Sequence, residues 1–168
     1  MKFTRILVGI AAAACLTTVA GQAKAGDGTL NGTFGYYSVG ETYTVEEQHL
    51  LFTGEFSGAY FDTAGQGIFH NVAVTCPGIY DLNYKTDKSS AQGYCMIATA
   101  GGDKATFAWT CKGVPSKGTC DGTWSFNSGS GKFQGISGDA TFAAQNVALN
   151  EKGRISGFAI WKGNYHLP

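Results

Sequence analysis

Two side chains in this 168-residue sequence sit where acid–base chemistry inside an apolar pocket would need them. His70 shares one face of a strand with Ile68, Val72, Val74 and Cys76. Burial in such a face lowers an imidazole pKa, so the ring would act as an acid or base, or orient a ligand. The position suits a hydrogen-bonded structural histidine equally well. Glu55 follows Leu51 and Thr53 in strand phase, beyond His49 and Glu47. In an apolar lumen its carboxyl would rise toward neutrality and serve as a general base; on an outer face it is a solvated charge.

Conventional catalytic signatures are missing. The chain holds no Gly-x-Ser-x-Gly elbow, no His-Glu-x-x-His and no Gly-x-x-x-x-Gly-Lys-Ser/Thr. Gly129-Ser130-Gly131-Lys132 lacks phosphate-loop spacing and a helix after it, and reads as a turn. Cys76, Cys95, Cys111 and Cys120 are spaced 19, 16 and 9 residues apart, unlike the short Cys-x2–4-Cys pairs of zinc sites. No cofactor or metal is expected. The aromatics Phe107, Trp109, Trp124, Phe126, Trp161 and Tyr165 are the main candidates for core or pocket lining. Of the residues named so far, His70, Trp109, Trp124, Tyr165 and Glu55 are the candidate ligand contacts.

The elements that must position them are strands. No stretch holds a 3.6-residue apolar period; instead Gly punctuates runs that alternate with a period of two. Ala105, Phe107, Trp109 and Cys111 share one face, with Lys104, Thr106, Ala108 and Thr110 on the other. Cys120, Gly122, Trp124 and Phe126 form a second such face, and Ile155, Gly157, Ala159, Trp161 and Tyr165 a third. Turn sequences at 101–103, 114–118 and 150–153 fall midway between runs, as hairpins require. The pattern gives eight to nine strands, over 30–39, 45–58, 66–76, 79–85, 91–99, 104–112, 119–127, 138–147 and 154–166. Sequential hairpins of this number fold as a sandwich or close into a barrel, and closure removes exposed edges. The expected fold is all-β, a single antiparallel closed barrel. Strand parity pairs Cys111 with Cys120 across one hairpin, which leaves Cys76 to pair with Cys95 across the 77–91 connection. Cys95 with Cys111 fits poorly, because Cys95 would stand opposite about residue 108.

The termini and charge bound the setting. Lys2 and Arg5, the apolar stretch Ile6–Val19 and Ala23-Lys24-Ala25 read as a secretory signal peptide over residues 1–25. That stretch is short for a membrane span. The expected location is periplasmic or secreted, and four cysteines as two disulfides suit an oxidising compartment. Without Lys2, Arg5 and Lys24, residues 26–168 keep all twelve acidic residues and carry a net charge of −3, with Arg154 the one arginine. This charge argues against nucleic-acid binding, which needs clustered Lys and Arg.

Residues 128–142, Ser-Gly-Ser-Gly-Lys-Phe-Gln-Gly-Ile-Ser-Gly-Asp-Ala-Thr-Phe, resemble the Gly-x-Gly-x-Phe…Gly turn of allene oxide cyclase-like and dirigent-like barrels. The closing run Gly157–Tyr165, with Trp161-Lys162-Gly163, is similar to theirs as well. The resemblance implies an eight-stranded barrel around a partly apolar cavity. In allene oxide cyclases that cavity holds a fatty-acid epoxide, and in dirigent proteins a phenoxy-radical intermediate. The charged N-terminal stretch that serves catalysis in the cyclases has no matching pattern over residues 27–48, which offer Glu41, Glu46 and Glu47. No catalytic residue carries over. Three functions follow as expectations: an exported, non-catalytic module for a small apolar or amphipathic ligand; an isomerase or cyclase; and a small outer-membrane barrel. The last fits poorly with four cysteines and a Leu167-Pro168 terminus.

Overall fold

The alternating runs are strands, and their inward faces are the apolar ones. A computed structural model describes residues 26–150 and 154–168; the signal segment read over 1–25 lies outside the described residues. The strands are β1 (Gly26–Glu46), β2 (His49–Asp62), β3 (Val72–Asn83), β4 (Lys88–Ala98), β5 (Lys104–Val114), β6 (Thr119–Ser130), β7 (Ser137–Asn150) and β8 (Arg154–Leu167). Each pairs antiparallel with the next, and β8 returns to β1 in register from Gly26↔Leu167 to Tyr37↔Ser156. The sheet is thus a closed eight-stranded barrel. Closure leaves no edge strand in the ring, and it sends every second side chain into one shared interior.

That interior is aromatic. On β5, Ala105, Phe107, Trp109 and Cys111 are buried, while Lys104 and Thr110 are exposed. The Trp124 ring lies 4.3 Å from Phe107, 4.9 Å from Phe126 and 5.4 Å from Trp161. Tyr60 stacks on Trp161 at 4.9 Å. One end of the barrel is plugged: Phe69 stacks on Phe133 at 5.1 Å, with Phe126 and Tyr165 around it. Gly78 and Gly93 face each other across β3 and β4 beneath Trp109. A Cβ on Gly78 would come within 2.6 Å of that indole, so the missing side chain is what lets the ring lie against the wall.

Three strand readings need correction, the first being the run 45–58, which begins inside β1 and crosses the turn at 47–48. The runs 66–76 and 79–85 are one strand, β3, which passes straight through Pro77-Gly78. Proline lacks an N–H, and a proline inside a run suggests a break. Here β3 stays paired with β2 at Phe56↔Cys76 and Glu55↔Pro77, whereas its ladder to β4 stops at Thr75↔Met96 and resumes at Gly78↔Gly93. The missing donor falls on the β4 side, and the Cys76–Cys95 disulfide spans the same gap, with its Cα atoms 4.0 Å apart. Residues 66–71, in turn, are not strand. Gly65, Gly67 and Asn71 all have positive φ, which an extended run of L residues cannot supply, so the chain makes a tight connection before Val72.

The second disulfide, Cys111–Cys120, also joins the residues that parity paired, at a Cα separation of 5.6 Å. It ties β5 to β6 across a 3-10 turn at Pro115–Lys117 that ends on Gly118 in the left-handed region. The Asp87 carboxylate accepts from the Ser116 N–H at 2.9 Å and its hydroxyl at 2.7 Å, fastening this turn to the β3–β4 turn. Those two bonds hold Asp87 below the usual carboxylate range.

Trp124 is the largest of the fully buried side chains, at 2% exposure. Trp124→Ala is expected to destabilise the protein by about 3–5 kcal/mol, as for other buried large-to-small changes. Denaturant unfolding measures this; a loss below about 1 kcal/mol would show that the β6 face is not packed as described.

Candidate functional site

The lumen between the plugged end and the hairpins at the opposite end holds a cavity of about 70 Å³. All three tryptophans of the chain, Trp109, Trp124 and Trp161, line it. Phe56 and Phe142 add aromatic wall, and both disulfides face it. Trp109 and Trp124 stand directly opposite each other on β5 and β6, so their indoles reach the cavity from adjacent strands.

Polar groups gather toward the hairpin end. Tyr36 donates its hydroxyl to Asn146 Oδ1 at 2.8 Å. Asn146 reaches the lumen where β7 slips register, between Asn146↔Gly157 and Ala148↔Ser156; a bulge of this kind re-aims a side chain. Tyr80 lies beside Asn146 and Ser89, yet its hydroxyl has no partner at hydrogen-bonding geometry. Burial pushes the Tyr36 and Tyr80 phenols up, so both stay neutral across the physiological range. The Nε1 atoms of Trp109 and Trp124 are buried without a protein partner. An adjoining depression of about 230 Å³ near Pro115–Gly118 shares Tyr80 and Asn146 with the lumen. Larger hollows lie on the outer wall, one beside Asp81, Lys112 and Asp121, and are lined largely by outward-facing residues.

The residues singled out by sequence separate into two groups. Trp109 and Trp124 line the cavity. Tyr165 has the inward phase expected of it but packs edge-on against Phe69, at 5.1 Å, in the plugged end. His70 does not enter the lumen: it sits in the connection before β3, half-buried, its ring 6.3 Å from the exposed Phe61. Its neighbour Phe69 turns inward instead, so the positive-φ residues invert the phase read for 68–71. Glu55 faces outward between Val39 and Pro77, exposed, and accepts a hydrogen bond from the Ser57 hydroxyl. Tyr36, Tyr80 and Asn146 escaped the sequence reading. Tyr80 sits in phase with Leu82 and was legible in principle; Asn146 depends on a bulge that alternation does not show.

His49 forms an outer-wall cluster, with Nε2 2.9 Å from Asp81 and Nδ1 3.5 Å from Glu46. Among the described residues no group of three or more His, Cys, Asp or Glu is placed to hold a metal ion. The hydrogen bond to Asp81, with the nearby carboxylate charges, raises the His49 pKa above its ordinary 6.5. The protonated ring therefore favours the folded state below pH 6.5, and that contribution is lost as pH rises through the higher folded value. An NMR titration of His49 is expected to give a midpoint above 6.5, and Asp81→Asn to bring it back down. An unchanged midpoint in Asp81→Asn would remove Asp81 as the cause.

Solved structures similar to this chain include two dirigent proteins. The pterocarpan synthase dirigent protein GePTS1 is similar at 10% identity and a TM-score of 0.49, over 93% of this chain and 100% of that one. The pterocarpan synthase dirigent protein PsPTS1 is similar at 15% identity and a TM-score of 0.46, over 83% and 94%. No protein-family model and no curated protein matches the sequence.

Proposed function

We propose that this chain is an exported β-barrel that holds one small apolar or amphipathic ligand in its lumen without reacting with it. The observation that carries the reading is the cavity: an aromatic wall from three tryptophans, with a few polar groups gathered at one end. Small-molecule sites combine mostly apolar walls with a few placed polar groups in this way. Export is supported by the signal-like first 25 residues and by two disulfides, which persist in oxidising compartments.

Size limits the ligand. An apolar cavity of about 150 Å³ takes benzene, so 70 Å³ suits a molecule of a few heavy atoms. A longer ligand would have to extend past Tyr80 and Asn146, which also line the adjoining 230 Å³ depression. An isomerase would need a group in the lumen that moves a proton. The cavity wall offers phenols pushed up by burial and an amide, while Glu55 and His49 lie on the outer wall. An outer-membrane barrel carries polar residues inside and an apolar band outside; here the interior is the apolar side and Lys104, Lys112, Asp121 and Glu55 face out.

A ligand that binds only the folded state raises the unfolding temperature, by the equivalent of about 2.7 kcal/mol at a hundredfold excess over Kd. Thermal unfolding with cyclopentane, toluene and 2-phenylethanol, beside a native mass spectrum of protein purified from its source, tests the reading. The expected result is a saturable rise with at least one compound, or a co-purifying small molecule. No rise with any compound and a bare mass overturn it.

A further inference from the structure

One wall of the barrel is apolar on its outer side as well. Tyr37 and Val39 of β1, Phe61 of β2, and Phe158 and Ile160 of β8 point outward and are between 37% and 61% exposed. The strand registers place them together: Thr33 stands between Ile160 and Phe61, and Gly35 between Phe158 and Ala59. No charged residue occurs on β1 between Asp27 and Glu41. The opposite wall, by contrast, carries Lys104, Lys112 and Asp121 outward. The apolar surface is therefore a single face, unlike the band that encircles a barrel in a bilayer.

Gly35, at the centre of that face, shows that something lies over it. Other glycines within the strands sit where a Cβ would strike the fold: at Gly32, Gly58, Gly93 and Gly157 the nearest atom would be 1.9–2.4 Å away. At Gly35 nothing lies within 4 Å, and its φ is outside the left-handed region. Neither space nor backbone conformation within the chain asks for glycine here. A glycine inside a strand weakens it, and marks places where another backbone or a ligand comes close.

We propose that a second copy of this chain packs on this face, over Gly35. With about 150–250 Å² for a whole aromatic side chain, these exposures leave roughly 400–500 Å² on the five apolar side chains alone. Thr33, Gly35 and Ala59, with the exposed Tyr43 and Val45 further along β1, bring the face to roughly 700 Å². That exceeds the largest apolar patch of a typical monomer and approaches the roughly 800 Å² that each partner buries in a specific complex. The face also holds both halves of a self-matching contact. Phe158 and Phe61 carry rings, while Gly35 and Ala59 leave room beside them for a ring from the second copy. The proposal stands whether or not the lumen holds a ligand.

Sedimentation velocity and light scattering on the purified chain, over a range of concentrations, test it. The expected mass is a multiple of that of one chain. Gly35→Arg and Phe158→Glu are each expected to reduce it to a single chain, with the near-ultraviolet dichroism of the buried tryptophans retained. Thr110→Arg, on the opposite wall, should leave the assembly as it is. Gly35→Ala is the sharper probe, because its Cβ meets nothing within the chain. It should hold or raise the stability of the separated chain, yet weaken association by about tenfold or more, as at other interface centres.

A single-chain mass at every concentration overturns the proposal. So does an assembly that survives both Gly35→Arg and Phe158→Glu, since it must use another face. Vesicles of phosphatidylethanolamine and phosphatidylglycerol that bind single chains, and lose them on Gly35→Arg, would make a lipid surface the occupant and overturn it too.

Discussion

Everything in this molecule follows from the ladder between β1 and β8. Until Gly26 to Tyr37 zips against Ser156 to Leu167, the chain is an open sheet with two long edges and no inside. Once it closes, the apolar side chains of eight strands share one interior whose width is fixed by strand number. Eight strands leave room for side chains and little more. What remains of the lumen is therefore set by which side chains are largest, and Trp109, Trp124 and Trp161 are the ones that decide.

Closure also explains where the covalent and polar reinforcements lie. The Cys76–Cys95 bond crosses the β3–β4 boundary where Pro77 interrupts the ladder, and Cys111–Cys120 pins the neighbouring hairpin. Both are inward-facing, so they stiffen the wall beside the cavity. At the plugged end, Phe69 and Phe133 fill the interior from two loops. At the hairpin end Leu82 and Ile155 are joined by polar groups: the Tyr36–Asn146 bond, Tyr80 and the Ser38 hydroxyl, which accepts from the Ile155 N–H at 2.7 Å. One end is thus an apolar stopper and the other a directional, hydrogen-bonding rim, the asymmetry a ligand site needs.

Much of this was legible in the sequence, because period-two alternation reports directly which residues face inward. It placed Phe107, Trp109, Cys111, Cys120 and Trp124 on the buried side; the Cys111–Cys120 bond follows from that parity, and Cys76–Cys95 is the pair it leaves. It failed where the backbone departs from an extended run. Pro77 looks like a break, but its missing donor falls on a boundary that a disulfide already spans. His70 looks inward by counting from Cys76, yet Asn71 at φ 58° reverses the phase just before it. Asn146 is the converse case, a polar residue brought to the lumen by a bulge in β7. Alternation therefore reads the wall of the barrel well and its special positions poorly, and the candidate site draws on both.

The central claim is that closure leaves an apolar cavity between Trp109 and Trp124 while the Phe69–Phe133 end is filled. Xenon enters dry apolar cavities and scatters strongly, so diffraction from crystals of the mature protein held under xenon pressure tests it directly. The account expects a single strong site in the lumen, in contact with Trp109, Trp124 or Phe142. Xenon bound instead among Phe69, Phe133 and Tyr165, or no interior xenon at all, would contradict it.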